Sequence, residues 1–388
     1  MPRRARKGQD MAEAVVIGAG IGGLTAGVAL ARHGWGVTVV ERAPALEAVG
    51  AGLGIAPNAL HALDALGLGD ALRARAAIQG NAGIRRRDGR WVYRTSDAAI
   101  RRRFGDPLVV ARRADLVAVL AGALPPDALR LGTTVTGVDA DSGVVTLADG
   151  GTLTGELVVG ADGVRSPTRA AAFPEHARAR ELPMVAWRFL APRPPGLVPA
   201  ETWGARALVG VVPLADDRVY VYAAEGVPIG AGIPPLPAFE GWHHPIPQLM
   251  ATAEGVVSGR LLELERPLPA MHGGRVALVG DAAHPMTPFL AQGACQAMED
   301  GVTLARLVDP ADVATGLAAY SAARLARVQG IVRRSRRVGD AVLGRGPFGA
   351  AVRDRVVGIG RWLPEDLLAR SFDGVFAWQP PPARSSVP

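Results

Sequence analysis

Between Ala14 and Glu41 the chain runs AVVIGAGIGGLTAGVALARHGWGVTVVE, and few folds accommodate that order of residues. Ala14-Val15-Val16-Ile17 is small or β-branched and apolar, as a strand covered on both faces must be. Gly18-Ala19-Gly20-Ile21-Gly22-Gly23 then matches G-x-G-x-x-G. The three glycines of that pattern do different things. Gly18 makes the turn, Gly20 admits a pyrophosphate to the backbone, and Gly23 lets the helix pack closely on the strand. The helix that follows aims free N–H groups at the phosphates. Leu24, Val28 and Ala31 recur at helical spacing, His33-Gly34 ends the helix, and Val37 to Val40 form a second strand. Glu41 closes that strand, where an acid hydrogen-bonds ribose hydroxyls. The unit predicts a bound dinucleotide and leaves open which one.

The remainder of the chain limits the alternatives. Its 388 residues, 49% hydrophobic and 20% charged, describe a globular protein of two domains or one large one. The uncharged run Ala14 to Ala31 is long enough for a membrane span, but its glycines and Thr25 fit a buried strand and helix instead. The leader 1–10 carries Arg3, Arg4, Arg6 and Lys7 without an apolar stretch of its own; it reads as a disordered tail, with Met11 as an alternative start. A formal charge of +7 rests almost wholly on arginine, and the runs Arg85 to Arg87, Arg101 to Arg103 and Arg333 to Arg337 fall in different elements. With aromatics at 5% they read as solvated faces, so neither a nucleic-acid nor a membrane partner is expected. One cysteine, Cys295, excludes an intrachain disulfide and fits a cytoplasmic setting.

After Glu41 a glycine-dense stretch through Ala51, Gly52 and Gly54 leads into a helix over Leu60, Leu63 and Leu66. Asp88-Gly89 between two extended runs marks a hairpin. Leu108 to Val110 followed by Arg112 to Leu120 returns to strand and helix, and Leu157 to Arg169 carries a buried strand into Gly160-Ala161-Asp162-Gly163. From Pro174 to about Pro269 prolines multiply and short strands dominate, including Val185 to Leu190, Ala207 to Val212 and Arg218 to Ala223. Val276 to Val279 is again a buried strand, running into Gly280-Asp281, with helices over about Gln292 to Leu307 and Ala311 to Val338. The expected architecture is α/β. A Rossmann-like domain from 11–80, 100–173 and 270–310 carries an inserted, mostly antiparallel substrate sheet from 81–99 and 174–269, and helices and a tail occupy 311–388.

Glu41, Asp162-Gly163 and Gly280-Asp281 are acids at strand C-termini beside glycine or the phosphate turn, where open parallel sheets hold ligands. The motifs GAGIGG (18–23), RADL (113–116), GADGVRSPTR (160–169) and GDAAHPMTPFLAQGACQAMEDG (280–301) resemble the single-component FAD-dependent aromatic hydroxylases, the para-hydroxybenzoate hydroxylase superfamily, above all its salicylate-hydroxylase-like members. The resemblance extends from Val15 to about Pro364. It implies a monooxygenase in which NAD(P)H reduces tightly held, non-covalent FAD. O2 then gives a flavin C4a-hydroperoxide that hydroxylates an aromatic, polyketide-like or other electron-rich small molecule. The FAD would be held by Gly18, Gly20, Gly23, Glu41, Arg42, Ala51, Gly52, Arg113, Asp162, Asp281, Pro288, Gly293 and Ala294. NAD(P)H docks transiently, since no second G-x-G-x-x-G occurs. Helix onset near Gln292-Gly293 turns a positive end toward the flavin ring. Two departures from the commoner form stand out: Ala291 where Gly is usual, and Cys295 where Asn is usual. Cys295 invites a nucleophile reading with His284, or a small packed residue beside Ala294 and Ala297; no metal-ligand spacing surrounds His284.

For the substrate pocket, Trp187, Arg188, Arg206, Tyr220 and Tyr222 are the candidates, with Tyr220 assisting a phenol and Arg188 or Arg206 pairing a carboxylate. Period-two alternation puts Tyr220 and Tyr222 on one face, which is either pocket wall or core. Asp115 and Glu299-Asp300 read as solvent-facing acids. A flavin-dependent reductase or halogenase, or a redox-inactive flavin-binding protein, is the alternative; the halogenase W-x-W-x-I-P motif does not occur.

Overall fold

The structure, a computed structural model, describes residues 11–46, 52–344 and 346–382. The leader and Ala51 therefore lie outside the described residues. At its centre, the apolar strand Glu13–Ile17 is flanked by Gly36–Val40 and Leu157–Gly160, all parallel, in a six-stranded sheet extended by Val276–Leu278, His272–Gly273 and Leu129–Arg130. Val15, Val16, Val39, Val158, Val159 and Ala277 are buried, as the continuous apolar runs require. Helices Ile21–Arg32 and Gly293–Leu307 pack on one another, and Gly301 makes this approach possible: a Cβ there would stand 2.7 Å from the Ala26 nitrogen.

The second large sheet has seven strands in the order Glu254–Leu264, Ala179–Pro192, Arg218–Glu225, Ala207–Pro213, Ala200–Trp203, Ala82–Arg86 and Trp91–Thr95. All neighbours are antiparallel except Ala200–Trp203 with Ala82–Arg86. The hairpin at Asp88-Gly89 thus joins strands from after Pro174, and Gly89 takes the left-handed φ of 87° that its turn needs. One face of this sheet is closed by Phe239, Ile246 and Leu249 over Trp187, Phe189 and Val209. The other packs against Phe289 and the end of the long helix Val313–Leu343. Two further sheets of three strands each complete the fold, and one of them, Gly52–Ile55, Val109–Arg112 and Ala77–Ile78, bridges toward the seven-stranded sheet.

Glu299 and Asp300 do not face solvent. Both are wholly buried beside an equally buried Arg324. Arg324 Nε donates to Asp300 Oδ1 at 2.7 Å, Nη1 to Glu299 and Nη2 to Gln296 Oε1 at 2.8 Å. Arg327 reaches Glu299 from the same helix at 2.8 Å. A charge loses several kcal/mol on leaving water, so neither acid would be buried here without these partners.

Candidate cofactor and substrate site

Gly18 has φ 104°, and a Cβ on Gly23 would stand 1.9 Å from the Gly18 carbonyl oxygen, so the glycine turn admits no side chain at either place. Gly20 differs: its backbone is extended and a Cβ there would meet nothing within 4 Å. That open space lies at a helix start with no side-chain cap. Unpaired N–H groups and a vacant approach are what a phosphate requires. Gly293 repeats the pattern, opening onto free space at the uncapped start of Gly293–Leu307, with Ala294 beside it.

The strand-end acids are used in different ways. Glu41 accepts from Ala19 N at 2.8 Å and from Ala43 N at 3.0 Å, bracing the phosphate turn. Arg42 is exposed next to it. Asp162 Oδ2 accepts from Thr168 N at 3.0 Å and Thr168 Oγ1 at 2.8 Å, whereas its Oδ1 is buried without a partner. An orphaned carboxylate oxygen in such a place fits a ligand donor. Asp281 is exposed in the turn after Val276–Leu278, which Asp300 holds by accepting from Gly280 N at 2.9 Å. His284 Nε2 lies 2.5 Å from the same Asp300 oxygen, so this histidine belongs to the buried network.

Arg113 lies near enough to Asp281 to feel its charge. Burial lowers the Arg113 pKa, and the negative charge of Asp281 opposes that. Arg112, its neighbour, turns away to pair with Asp216. The Tyr220 ring rests on the Gly52 backbone, where a Cβ would come within 2.6 Å of it. Burial raises the Tyr220 pKa against the neighbouring charges of Arg188 and Arg113. Arg113, Asp281, Gly52, Tyr220 and Arg188 thus form one cluster between the two large sheets.

The loop 287–291 closes the cluster. Ser335 donates to the Thr287 carbonyl at 2.6 Å and accepts from the Thr287 hydroxyl at 2.8 Å, fixing the start of the Pro288–Leu290 turn. Phe289 packs onto Gly339, where a Cβ would stand 2.3 Å from the ring. Ala291 sits in the left-handed region at φ 51°, which explains why glycine suits this position. Cys295 is buried 3.4 Å from the Ala291 carbonyl, and burial pushes its thiol up to about 12; it is a packed residue with no nucleophilic character.

Two pocket candidates are not in the cluster. Arg206 occupies the tight turn between Ala200–Trp203 and Ala207–Pro213 at φ 62°, exposed, with Nη2 toward the Gly226 carbonyl at 3.4 Å. The register pairs Tyr220 with Val212 and Glu225 with Ala207, so the turn and the phenol lie at opposite ends of the hairpin. Trp187 points to the other face of the sheet and donates to the Pro234 carbonyl at 3.3 Å. A surface hollow lined by Leu197, Thr202, His243 and Ile246 belongs to that outer side as well. Among the described residues no group of acids, histidines and cysteine has metal-binding geometry.

A family model described as "FAD binding domain" matches residues 11–195 and 264–335. The chain is 37% identical over 357 residues to Aurachin C monooxygenase/isomerase of Stigmatella aurantiaca, covering 88% of this chain and 93% of that one. The solved structure of Klebsiella pneumoniae HpxO, complexed with FAD and uric acid, superposes with a TM-score of 0.86 at 27% identity over 95% of this chain and 98% of that one. A salicylate hydroxylase substrate complex shares the fold at a TM-score of 0.73 and 23% identity, covering 97% and 100%.

Proposed function

The chain belongs to the family of FAD-dependent monooxygenases that carry this FAD binding domain, and from that premise we propose how its own residues divide the work. Bound FAD supplies the oxygen transfer, using NAD(P)H and O2 to hydroxylate an aromatic or other electron-rich small molecule. Gly18, Gly20, Gly23, Glu41 and Arg42 hold its adenosine and pyrophosphate end, with Asp162 contributing through its free oxygen. Gly52, Arg113 and Asp281 hold the middle, and Pro288, Gly293 and Ala294 line the ring. Residues 11–80, 100–173 and 270–310 make this half of the molecule, and the seven-stranded sheet makes the substrate half. No helix among the described residues is long and apolar enough to cross a membrane, and the single cysteine fits a cytoplasmic setting.

One observation carries the assignment of the pocket: Tyr220 lies over the Gly52 backbone, on a strand next to that of Arg188, and Arg113 feels the charges of Arg188 and Asp281. Arg188 meets an anionic oxygen of the substrate. Burial keeps Tyr220 protonated at neutral pH, so its hydroxyl donates to the substrate oxygen and is not the base that removes a phenol proton. Anaerobic mixing of the holoenzyme with NADH or NADPH tests the whole scheme: flavin absorbance falls, and readmitted 18O2 appears in a ring product. Tyr220→Phe and Arg188→Met raise KM while leaving flavin content unchanged. Loss of flavin instead, or unchanged coupled turnover, removes these residues from the pocket.

A further inference from the structure

The run Arg85 to Arg87 is not one solvated face. Arg86 pairs with Asp354 at 3.4 Å, and Arg87 is exposed. Arg85 is half-buried, its Nε is enclosed without a hydrogen-bond partner, and no carboxylate pairs with it among the described residues. The neighbouring charge that acts on it is that of Arg94, a like charge, and burial and Arg94 together lower its pKa. Both guanidinium groups stand over the Trp91 ring, their Cζ atoms 4.0 and 4.6 Å from its centroid. The register of Ala82–Arg86 with Trp91–Thr95 slips between Ile84 and Arg85. Such a bulge gives up local pairing and re-aims a side chain. Arg85 pairs with Thr202 and Thr202 with Val209, so Arg85 projects onto the outer face, where Phe239, Ile246 and Leu249 cover Val209 and Trp187. The outer hollow noted above is a cavity of about 130 Å³ between Arg85, that cover and the 194–198 loop. Leu197, Val211 and Ile246 give it apolar walls, and no acid lines it. His243 Nδ1 donates to the His244 carbonyl at 2.7 Å, so the neutral ring takes the Thr202 hydroxyl hydrogen on Nε2 at 2.9 Å. With those hydrogens committed, Arg85 is the donor that the hollow has left to offer.

A cation enclosed beside a like charge is costly until an anion joins it. We propose that this hollow is a second small-molecule site, on the side of the sheet away from Tyr220 and Arg188, and that its ligand is a single-ring monocarboxylate. Arg85 meets the carboxylate with a planar fork, and Leu197, Val211 and Ile246 meet the ring. Size limits the ligand: an apolar cavity of ~150 Å³ takes benzene, so this one admits one ring and not two. Charge limits it further. A cationic ligand finds no acid, and a dianionic one sets its second charge against apolar walls. The inference needs neither the flavin nor the substrate assignment, since all of these residues line the outer face.

Calorimetric titration of the holoenzyme tests this, with benzoate as the probe and benzamide as its uncharged counterpart. Arg188 offers a carboxylate another partner on the inner face, so Arg188→Met is the background in which the outer site is read. There one equivalent of benzoate binds with a Kd of about 1 mM or below, and benzamide binds at least about tenfold more weakly, as loss of a charge-assisted pair predicts. Adding Arg85→Met weakens benzoate at least about tenfold and leaves benzamide within about twofold. Benzoate likewise raises the melting temperature of Arg188→Met and leaves that of the double variant unmoved. An Arg85 that serves only the fold would change the melting temperature without separating the two probes. Benzoate binding that vanishes with Arg188→Met, survives Arg85→Met, or is matched by benzamide overturns the proposal, as does an absence of binding at about ten times the stated Kd. Flavin absorbance and thermal melts report folding. If Arg188→Met does not fold, Arg85→Met against wild type decides, because the two arginines stand on opposite faces of the sheet; if Arg85→Met does not fold, Arg85→Gln takes its place.

Discussion

Gly20 and Gly23 are neighbours in one motif and respond to alanine in opposite ways. At Gly20 the backbone is extended, φ −72° and ψ 178°, so alanine is unstrained, and its Cβ meets nothing within 4 Å. Replacing glycine at such a place restricts the unfolded chain and stabilises by about 0.4–1 kcal/mol. The apoprotein of Gly20→Ala therefore melts at or slightly above the wild-type temperature. The methyl group, however, stands where a phosphate approaches the uncapped N–H groups of Ile21–Arg32. Charged hydrogen bonds contribute about 1.5–3 kcal/mol each, so displacing the phosphate from two of them costs about 3 kcal/mol or more. At 1.4 kcal/mol per factor of ten, the Kd for FAD rises at least ~100-fold. Gly23→Ala pushes a Cβ to 1.9 Å from the Gly18 oxygen, a backbone clash that no rotamer relieves, and destabilises the apoprotein by about 3 kcal/mol. The assays are quenching of flavin fluorescence on titration into apoprotein and a circular-dichroism melt of the same sample. If Gly20→Ala binds FAD within threefold of wild type, or its apoprotein melts as low as that of Gly23→Ala, the open space is not the phosphate approach.

Other outcomes follow from the same geometry. Cys295, with its thiol pushed up to about 12, takes no iodoacetamide in the native protein at pH 8 and one equivalent after denaturation, read by intact mass; native alkylation would restore the reactive-thiol reading. Ala291→Gly raises stability by about 0.5 kcal/mol, since a left-handed alanine costs about 1–2 and glycine returns part of that as chain entropy; an unchanged or lower urea midpoint contradicts it. Arg324→Met leaves two buried acids short of a partner and costs about 3 kcal/mol, the low end for a broken buried pair because Arg327 still serves Glu299. Its pH dependence has a definite sign. Burial by itself raises the Asp300 pKa, but His284 and Arg324 overcome it, so the folded value lies below the unfolded one of about 4. The stability this provides is present above that pH and lost as pH falls through the folded pKa. Arg324→Met moves acid unfolding to higher pH, and adding Asp300→Asn recovers part of the loss; an acid midpoint identical to wild type counts against the network.

Features with a local cause were open to reading from the residues alone. The glycine turn was legible because φ at Gly18 and the contact at Gly23 are settled within a few residues. Arg113 stands in the RADL motif, whereas its neighbour Arg112 pairs with Asp216. Glu299 and Asp300 were misread because their burial depends on Arg324, on a different helix, and on Asn58, whose amide reaches Glu299 from 241 residues away. Without its partner a charged residue in a helix reads as solvated, and by desolvation cost alone that reading is the better one. Arg206 was chosen for its charge alone, and nothing local in the sequence shows that it falls in the tight turn at the end of the hairpin away from Tyr220.

The hidden features did leave a local trace, in glycines that interrupt an otherwise regular element. Gly210 breaks the apolar run Ala207–Pro213, Gly339 falls inside Val313–Leu343, and Gly301 lies inside Gly293–Leu307. Each weakens its element relative to alanine by roughly 0.5–1 kcal/mol, so each needs a tertiary reason. In every case that reason is another group occupying the place of the missing Cβ: the Tyr222 ring, the Phe289 ring and the Ala26 backbone. Two of the three occupants belong to the substrate wall and the loop that faces it. A strand that gives up a side chain in mid-run makes room for a neighbour's, and the neighbour long enough to cross the strand and polar enough to need a partner beyond it is Tyr222.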